Sequence, residues 1–393
     1  MSLYHANQVS SVKTPPNLII VLHSAYVDQG ISIQYAQEGY NVLVLRSDIG
    51  FPNDIASVRH RLADGSPVGV VTYGLTKNIS EHLKYLVEQY ATKAVVHYTP
   101  DYETGEELAW KSATGNLIPT LYHLAFSQES LHASLLPTPH DESAEANPSG
   151  PLVSVSVYPK VSVDPPFALS VRPPALIKGV TLNSPPIDPA LRSAVGLSYT
   201  RSLRHLRTYL GPWFDLEKLW ERHTFYEFAE RSSSKTMATM VSTPYVNHVP
   251  TMIGGMGFAE LSRFYKYHFI DGSPPDTDLV TISRTVGADR LVEEMIFCCT
   301  HTNEIDWLLP GVQPTGKKIE IPLVGVVAFR GDKLTFEHLY WDQASVLVQV
   351  GLLDPNTLPV AGIATAKKVL DPFGQPSNQL LGRWHESEGL DIS

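Results

Sequence analysis

Two rhythms of hydrophobic and polar residues divide this chain. In the first half, continuous apolar runs alternate with stretches of helical period. Asn17–Leu22 (NLIIVL), Asn41–Leu45 (NVLVL), Val68–Tyr73 (VGVVTY), Ala94–His97 and Pro119–Leu124 read as short strands. Apolar residues without alternation mean that both faces are covered, as in a parallel sheet. Gly30–Gly39 and Asn78–Tyr90 read as helices, the first closed by Gly39. Val153–Tyr158 (VSVSVY) alternates like a strand, and a helix over Leu191–Leu210 stops at Gly211-Pro212. Strands alternating with helices predict an α/β doubly wound parallel sheet.

After residue 212 the order changes. Leu216–Glu230 and Gly257–Phe269 have helical period, with a short strand at Tyr245–Val249 between them. Three long strand-like segments follow, Asp278–Val286, Leu291–His301 and Ile319–Arg330. The last joins Lys333–Asp342 through Gly331-Asp332 as a hairpin. Helices first and antiparallel strands after predict an α+β domain. The expected organisation is therefore 1–212, 213–353 and a tail over 354–393. Prolines 137, 139, 148 and 151 flank the acidic piece Asp141–Glu145, so 136–150 is expected to be a mobile loop.

The segment KLTFEHLYWD (333–342) carries the densest chemistry. Along a strand side chains alternate faces. Leu334, Phe336, His338, Tyr340 and Asp342 then share one face, and Thr335, Glu337, Leu339 and Trp341 the other. The first face starts apolar and ends in an imidazole, a phenol and a carboxylate, so it is expected to line a pocket. The plain alternative is a strand whose end runs into solvent.

Composition narrows the classes. The hydrophobic share is 43% and the charged share 18%, as in a globular protein. The net charge is -10, and Lys and Arg form no dense run, so no nucleic-acid partner is expected. The start MSLYHANQVSSVKTPP has no apolar signal region, and no apolar run reaches the ~20 residues of a membrane helix. A cytoplasmic protein without a membrane partner is expected. The adjacent Cys298 and Cys299 suit reduced packing residues rather than a disulfide. Neither a GxGxxG loop nor a P-loop is present, and no cofactor is expected.

LIIVLHSA (18–25), EGYNVLVLRSD (38–48), VGVVTYGL (68–75), IPTLYHLA (118–125) and VSVYPK (155–160) follow the element order of a known family. Residues 17–210 resemble the dienelactone hydrolases, a branch of the α/β-hydrolases. That family carries G-x-C-x-G at a strand-to-helix elbow that exposes its nucleophile. Here the stretch is Thr72-Tyr73-Gly74-Leu75-Thr76, so Gly74 stands where the nucleophile would be. After Leu124, where the family has its aspartate, only Glu129 occurs, at the wrong spacing. After Tyr158-Pro159 no histidine follows. His23 reads as a packed or loop residue. The resemblance implies a pseudo-hydrolase acting as a scaffold, a dimer surface or a lid.

A second resemblance rests on FDLEKLWERH (214–223), PYVNHVPTMIGG (244–255), ISRTVGADRLVEEM (282–295), KKIEIPLVGVVAF (317–329) and FEHLYWDQASVLVQVGLL (336–353). Residues 214–353 resemble the SnoaL-like polyketide cyclases, of the nuclear-transport-factor-like fold. The resemblance implies an antiparallel sheet curved into a cone around a mostly apolar pocket. Isomerisation, cyclisation, dehydration and epoxide opening all occur on this fold, so the fold does not choose the reaction. Asp342 falls at the family's acid/base aspartate, though it would equally cap the helix starting at Ala344. His248 stands where the family often has a histidine. Pairing of two copies through the open sheet face is a further implication.

The expected catalytic set is Asp342, His301, His338, Glu304, Asp306 and His248. Tyr340, Tyr226, Glu227, Tyr245, Phe297, Trp307 and Phe329 are expected to contact substrate. His301, Glu304 and Asp306 have the residue types of a metal trio, but no second histidine stands at i+4 spacing, and no metal is expected. Together these features predict a cofactor-independent acid/base enzyme: a cyclase, isomerase or epoxide-opening hydrolase acting on a polyketide or terpenoid. The alternatives are a non-catalytic small-molecule binder or scaffold, and an ester hydrolase working through the first domain.

Overall fold

The computed structural model describes residues 3–27, 30–48, 58, 61–62, 65–135, 152–164, 167 and 188–392. The expected loop at 136–150 lies outside them. The chain divides into two compact units, chiefly the described residues through Phe214 and those from Asp215 on. The expected boundary at residue 212 falls two residues before that division.

The first unit is built on seven strands: β1 (Leu3–His5), β2 (Asn17–Leu22), β3 (Asn41–Arg46), β4 (Val68–Tyr73), β5 (Thr92–Tyr98), β6 (Thr120–Ala125) and β7 (Val153–Tyr158). Their order is β1-β3-β2-β4-β5-β6-β7, all parallel except β1, which runs antiparallel to β3. Every residue of β2, β4 and β6 is buried. The two-residue alternation explains why both faces need apolar residues. Leu18 and Ile20 pack with Tyr35 of helix α1 (Ile31–Ala36) on one face, and Ile19 and Val21 with Leu83 of α2 (Lys77–Gln89) on the other. Helices α3 (Glu129–Leu135) and α4 (Pro189–Leu210) complete the two layers. Strand β1 and helix α3 were not foreseen. A three-residue edge strand has too few positions to show a period.

The second unit holds a six-stranded sheet. Its strands are β8 (Met240–His248), β9 (Ile253–Met256), β10 (Asp278–Val286), β11 (Arg290–Thr300), β12 (Lys318–Arg330) and β13 (Lys333–Trp341). The order is β10-β11-β12-β13-β8-β9. The expected antiparallel sheet needs one correction, because β13 and β8 run parallel. Strand β8 also starts five residues before the expected Tyr245. Ser242 and Thr243 are exposed, so that half lacks an apolar signature.

Two helices pack on this sheet, and both change pitch. Helix α5 (Leu216–Thr224) is capped by Asp215, whose carboxylate accepts from the Lys218 N–H. It then widens into a π-turn over Phe225–Ala229, where the Glu230 N–H reaches the Phe225 carbonyl at 2.9 Å. A short helix α6 (Ser233–Ala238) follows. Helix α7 (Phe258–Phe264) likewise continues as a π-turn over Tyr265–Ile270. Helices α8 (Gln343–Gln349) and α9 (Ala364–Leu370) come after the sheet. Cys298 and Cys299 are both free thiols on β11, the first half-buried and the second buried. Among the described residues no helix is long and apolar enough to cross a membrane.

Candidate active site

A cavity lies between the two π-turns and the inner face of the sheet. Met295 and Phe297 of β11, Leu323 of β12 and Leu339 of β13 give it apolar walls, and Phe228 and Phe269 close it from the helical side. The volume open to the centre of a water-sized sphere is about 30 Å³. That is room for one or two waters, so a larger guest must displace side chains.

Three ionisable groups meet at one end of this cavity. His223 Nε2 is 3.0 Å from Glu227 Oε1 and 3.2 Å from Glu337 Oε1. The Tyr265 hydroxyl donates to Glu337 Oε1 at 3.2 Å. All four residues are buried. Three elements supply the set. His223 and Glu227 are four residues apart across the start of the first π-turn, and Tyr265 opens the second. Glu337 sits beside Val246 in the β13–β8 register, on the inner face.

The proton positions follow from the partners. The Thr239 hydroxyl donates to the Thr236 carbonyl at 2.6 Å, so its oxygen accepts from His223 Nδ1, also at 2.6 Å. Nδ1 therefore carries a proton, and Nε2 faces the two carboxylates. Burial disfavours a charged imidazole, but Glu227 and Glu337 outweigh it and hold the His223 pKa up at about 10. Burial raises the pKa of Glu227, against the pull of His223. Burial, then the nearby carboxylates, push the Tyr265 phenol well above its usual range. The centre is thus an imidazolium shared by two carboxyl groups, one of which holds a proton more readily than usual. The ligand atoms of His223, Glu227 and Glu337 all lie within 4.8 Å of one another, the one such group among the described residues. A small divalent cation would also suit that spacing if it displaced the Nε2 proton. With His223 protonated, its Nε2 faces both carboxylates as an ion pair instead.

The expected site residues separate into two groups. The cavity gathers His248, Glu227, Phe297 and Trp307. The rest lie elsewhere, and Asp342 is the main correction. Its carboxylate accepts from the Ala344 N–H at 3.0 Å and the Ser345 hydroxyl at 2.5 Å, and it is an exposed N-cap of α8. None of the expected pocket face of β13 lines the cavity, although Leu334 and Phe336 on it are buried. His338 packs against Tyr245 and Phe336 there, with ring centroids 5.3 and 4.9 Å away, and Tyr340 is 43% exposed. The residues of β13 that line the cavity are Glu337 and Leu339, on the face to which the sequence assigned no role. The physical cause is that β13 is a central strand with both faces partly covered, so apolar residues on one face do not single it out.

The remaining residues are also placed by packing. His301 is buried beside Thr315, with Nδ1 3.1 Å from its hydroxyl, and burial lowers its pKa. Glu304 is exposed, 3.5 Å from the Gln313 amide. Asp306 pairs with His268 Nδ1 at 2.6 Å in an outer cleft of about 290 Å³, beside Arg263 and Glu260. The expected trio His301, Glu304 and Asp306 therefore does not converge. Tyr226 is half-buried under the Lys235 ammonium, and Phe329 is buried away from the cavity. Sequence reasoning missed His223, Glu337, Tyr265 and Trp220. His223 and Glu227 did carry a signal, a His and a Glu at i,i+4 on a helix. Trp220 donates to Glu293 at 2.5 Å, and Glu293 also takes Arg284 at 2.6 Å, which anchors α5 to β11.

In the first unit, Gly74 stands at the turn between β4 and α2 with φ +62°, and a Cβ there would meet open space. A glycine there has no side chain with which to attack. Glu129 is exposed at the start of α3, and His23 is a surface residue 3.4 Å from Asp48.

No protein-family model and no curated protein matches this chain. Solved structures similar to part of it include a protein from Acidithiobacillus ferrooxidans named as a polyketide cyclase. It is 20% identical, covers 36% of this chain and 96% of its own, and has a TM-score of 0.30. A protein named as a SnoaL-like polyketide cyclase from Jannaschia sp. CCS1 is 16% identical, covers 37% and 99%, and has a TM-score of 0.29. A protein with a ketosteroid isomerase-like fold from Catenulispora acidiphila is 15% identical, covers 35% and 94%, and has a TM-score of 0.28. Such values leave reaction and substrate to the geometry.

Proposed function

We propose that the protein is an acid/base enzyme of the cyclase, isomerase or epoxide-opening kind, acting on a small apolar oxygenated molecule in the cavity of its second unit. The resemblance of residues 214–353 to SnoaL-like cyclases makes a polyketide or terpenoid the natural substrate class. One observation carries the reading: a buried Glu227–His223–Glu337 bridge, with Tyr265, at the end of an otherwise apolar cavity. Each of these reactions takes a proton from one atom and returns one to another. One carboxylate serves as the base, abstracting from carbon beside a carbonyl or from a water. The imidazolium passes its Nε2 proton to the other carboxyl, which protonates the substrate oxygen. Burial raises the Glu227 pKa, which favours a carboxyl that can hold and return a proton.

The first unit is, in this proposal, an α/β-hydrolase-type scaffold without its chemistry. An antiparallel edge strand, a parallel core and an elbow at Gly74 support that reading. The narrowness of the cavity favours one competing view, a binding protein that closes on a small guest without converting it.

The test is turnover of a panel of epoxidised and polycarbonyl small molecules, read by mass spectrometry. Glu337→Gln and Glu227→Gln should each lower turnover by about 10²–10⁴-fold. Asp342→Asn should leave turnover unchanged and cost well under about 1 kcal/mol, because asparagine caps a helix about as well as aspartate. Full activity in Glu337→Gln, or its loss in Asp342→Asn alone, would overturn the assignment. Saturable binding without conversion would favour the binding protein.

A further inference from the structure

The cavity wall holds two further polar atoms, outside the Glu227–His223–Glu337 bridge. His248 is 1% exposed, and its Nδ1 lies 3.0 Å from the Ile253 carbonyl oxygen. A carbonyl only accepts, so Nδ1 carries the proton and Nε2 presents a lone pair. Burial holds the His248 pKa down at about 4, which keeps the ring neutral. Its Nε2 is buried without a hydrogen-bond partner. Trp307 is 2% exposed, and its indole N–H, a donor only, is also buried without a partner. The two rings are 4.9 Å apart between centroids, and both residues line the cavity. A native interior rarely leaves one such atom unpaired, and here an acceptor and a donor stand side by side.

We propose that His248 and Trp307 form the recognition site for a hydroxyl group on the ligand. The ligand O–H donates to His248 Nε2, and its oxygen accepts from the Trp307 N–H. A hydroxyl satisfies both through a single oxygen. A ketone would leave the histidine lone pair unmet, an ammonium would leave the indole unmet, and a carboxylate would face the lone pair. The surrounding rings, Phe264 and Phe269 at 5.5 Å from His248 and Phe297 at 5.1 Å from Trp307, fit an apolar body around that hydroxyl. The ligand class is a small, otherwise apolar alcohol or phenol. The inference rests on the proposed cavity being the substrate pocket, and it narrows the substrate to a hydroxylated one.

The experiment is a binding titration of the full chain, labelled with ¹⁵N at Trp and His. The probes are benzyl alcohol and its near-isostere ethylbenzene. Benzyl alcohol should bind at least about tenfold more tightly. It should shift one indole N–H resonance, absent from Trp307→Phe, and the Nε2 resonance of His248. Trp307→Phe should bring the two probes to parity. If that variant fails to fold, the His248 Nε2 shift in the unmodified protein decides. Equal affinity for the two probes would overturn the proposal. So would an alcohol preference that survives Trp307→Phe, or no binding while a resident water exchanges with the Trp307 N–H. Because nothing here requires turnover, an inactive Glu337→Gln that keeps the alcohol preference separates this site from the acid/base centre.

Discussion

At the residue scale the molecule turns on Glu337. Its carboxylate is buried against His223 and Tyr265, where removing one partner of a buried ion pair costs about 3–5 kcal/mol. His223 titrates at about 10 in the folded chain against its ordinary value near 6.5. A raised folded pKa gives stability that is complete below pH 6.5 and is lost as pH rises towards 10. The burial-lowered histidines act oppositely. His248 at about 4, with His97 at about 3 and His205 at about 4, gives stability that is complete above 6.5 and falls away on acidification. Melting temperature should therefore decline on both sides of neutrality. In His223→Gln the alkaline decline should shrink while the acid one stays, as followed by thermal unfolding across pH 4–10. An unchanged alkaline limb in that variant would mean that His223 is not held as an imidazolium.

At the element scale the two π-turns decide what the cavity contains. An ordinary α-helix through Phe225–Ala229 would turn the residues after it by roughly a hundred degrees. Deleting Phe225, which is 54% exposed, should convert the turn to regular helix and shorten the His223–Glu227 spacing to i,i+3. Circular dichroism should keep its helical signal, and the His223 pKa, read by NMR, should fall. A His223 titration identical to that of the parent chain would show the π-turn to be incidental. Strand positions were legible because buried parallel strands leave uninterrupted apolar runs such as NLIIVL. The π-turns were not, because one extra residue per turn leaves composition and period almost unaltered. The pocket face of β13 was misread for a related reason. A glutamate in an alternating strand signals solvent by default, and here it marks the functional interior, where such rules are expected to fail.

At the scale of the whole molecule, a left-handed glycine at a strand-to-helix turn stands in one unit and a buried histidine between two glutamates in the other. A fluorophosphonate or iodoacetamide probe should leave residues 17–210 unlabelled, as mapped by peptide mass spectrometry. A labelled peptide in that range would revive a hydrolase in the first unit. Gly74→Ser should not create one, because the histidine and aspartate that the resemblance implies as its partners are absent from their positions.

The sequence by itself determined the two-part organisation, most of the longer strands and helices and the glycine at position 74. All of these depend on local period or on the identity of one residue. It also marked Glu227, His248, Phe297 and Trp307, which the cavity gathers. Only the tertiary structure decided which face of β13 looks inward, that Asp342 caps a helix, and that His223 meets a glutamate 114 positions away. Those outcomes depend on strand pairing and helix pitch, and a chain that pairs non-local segments does not write such contacts in its local pattern.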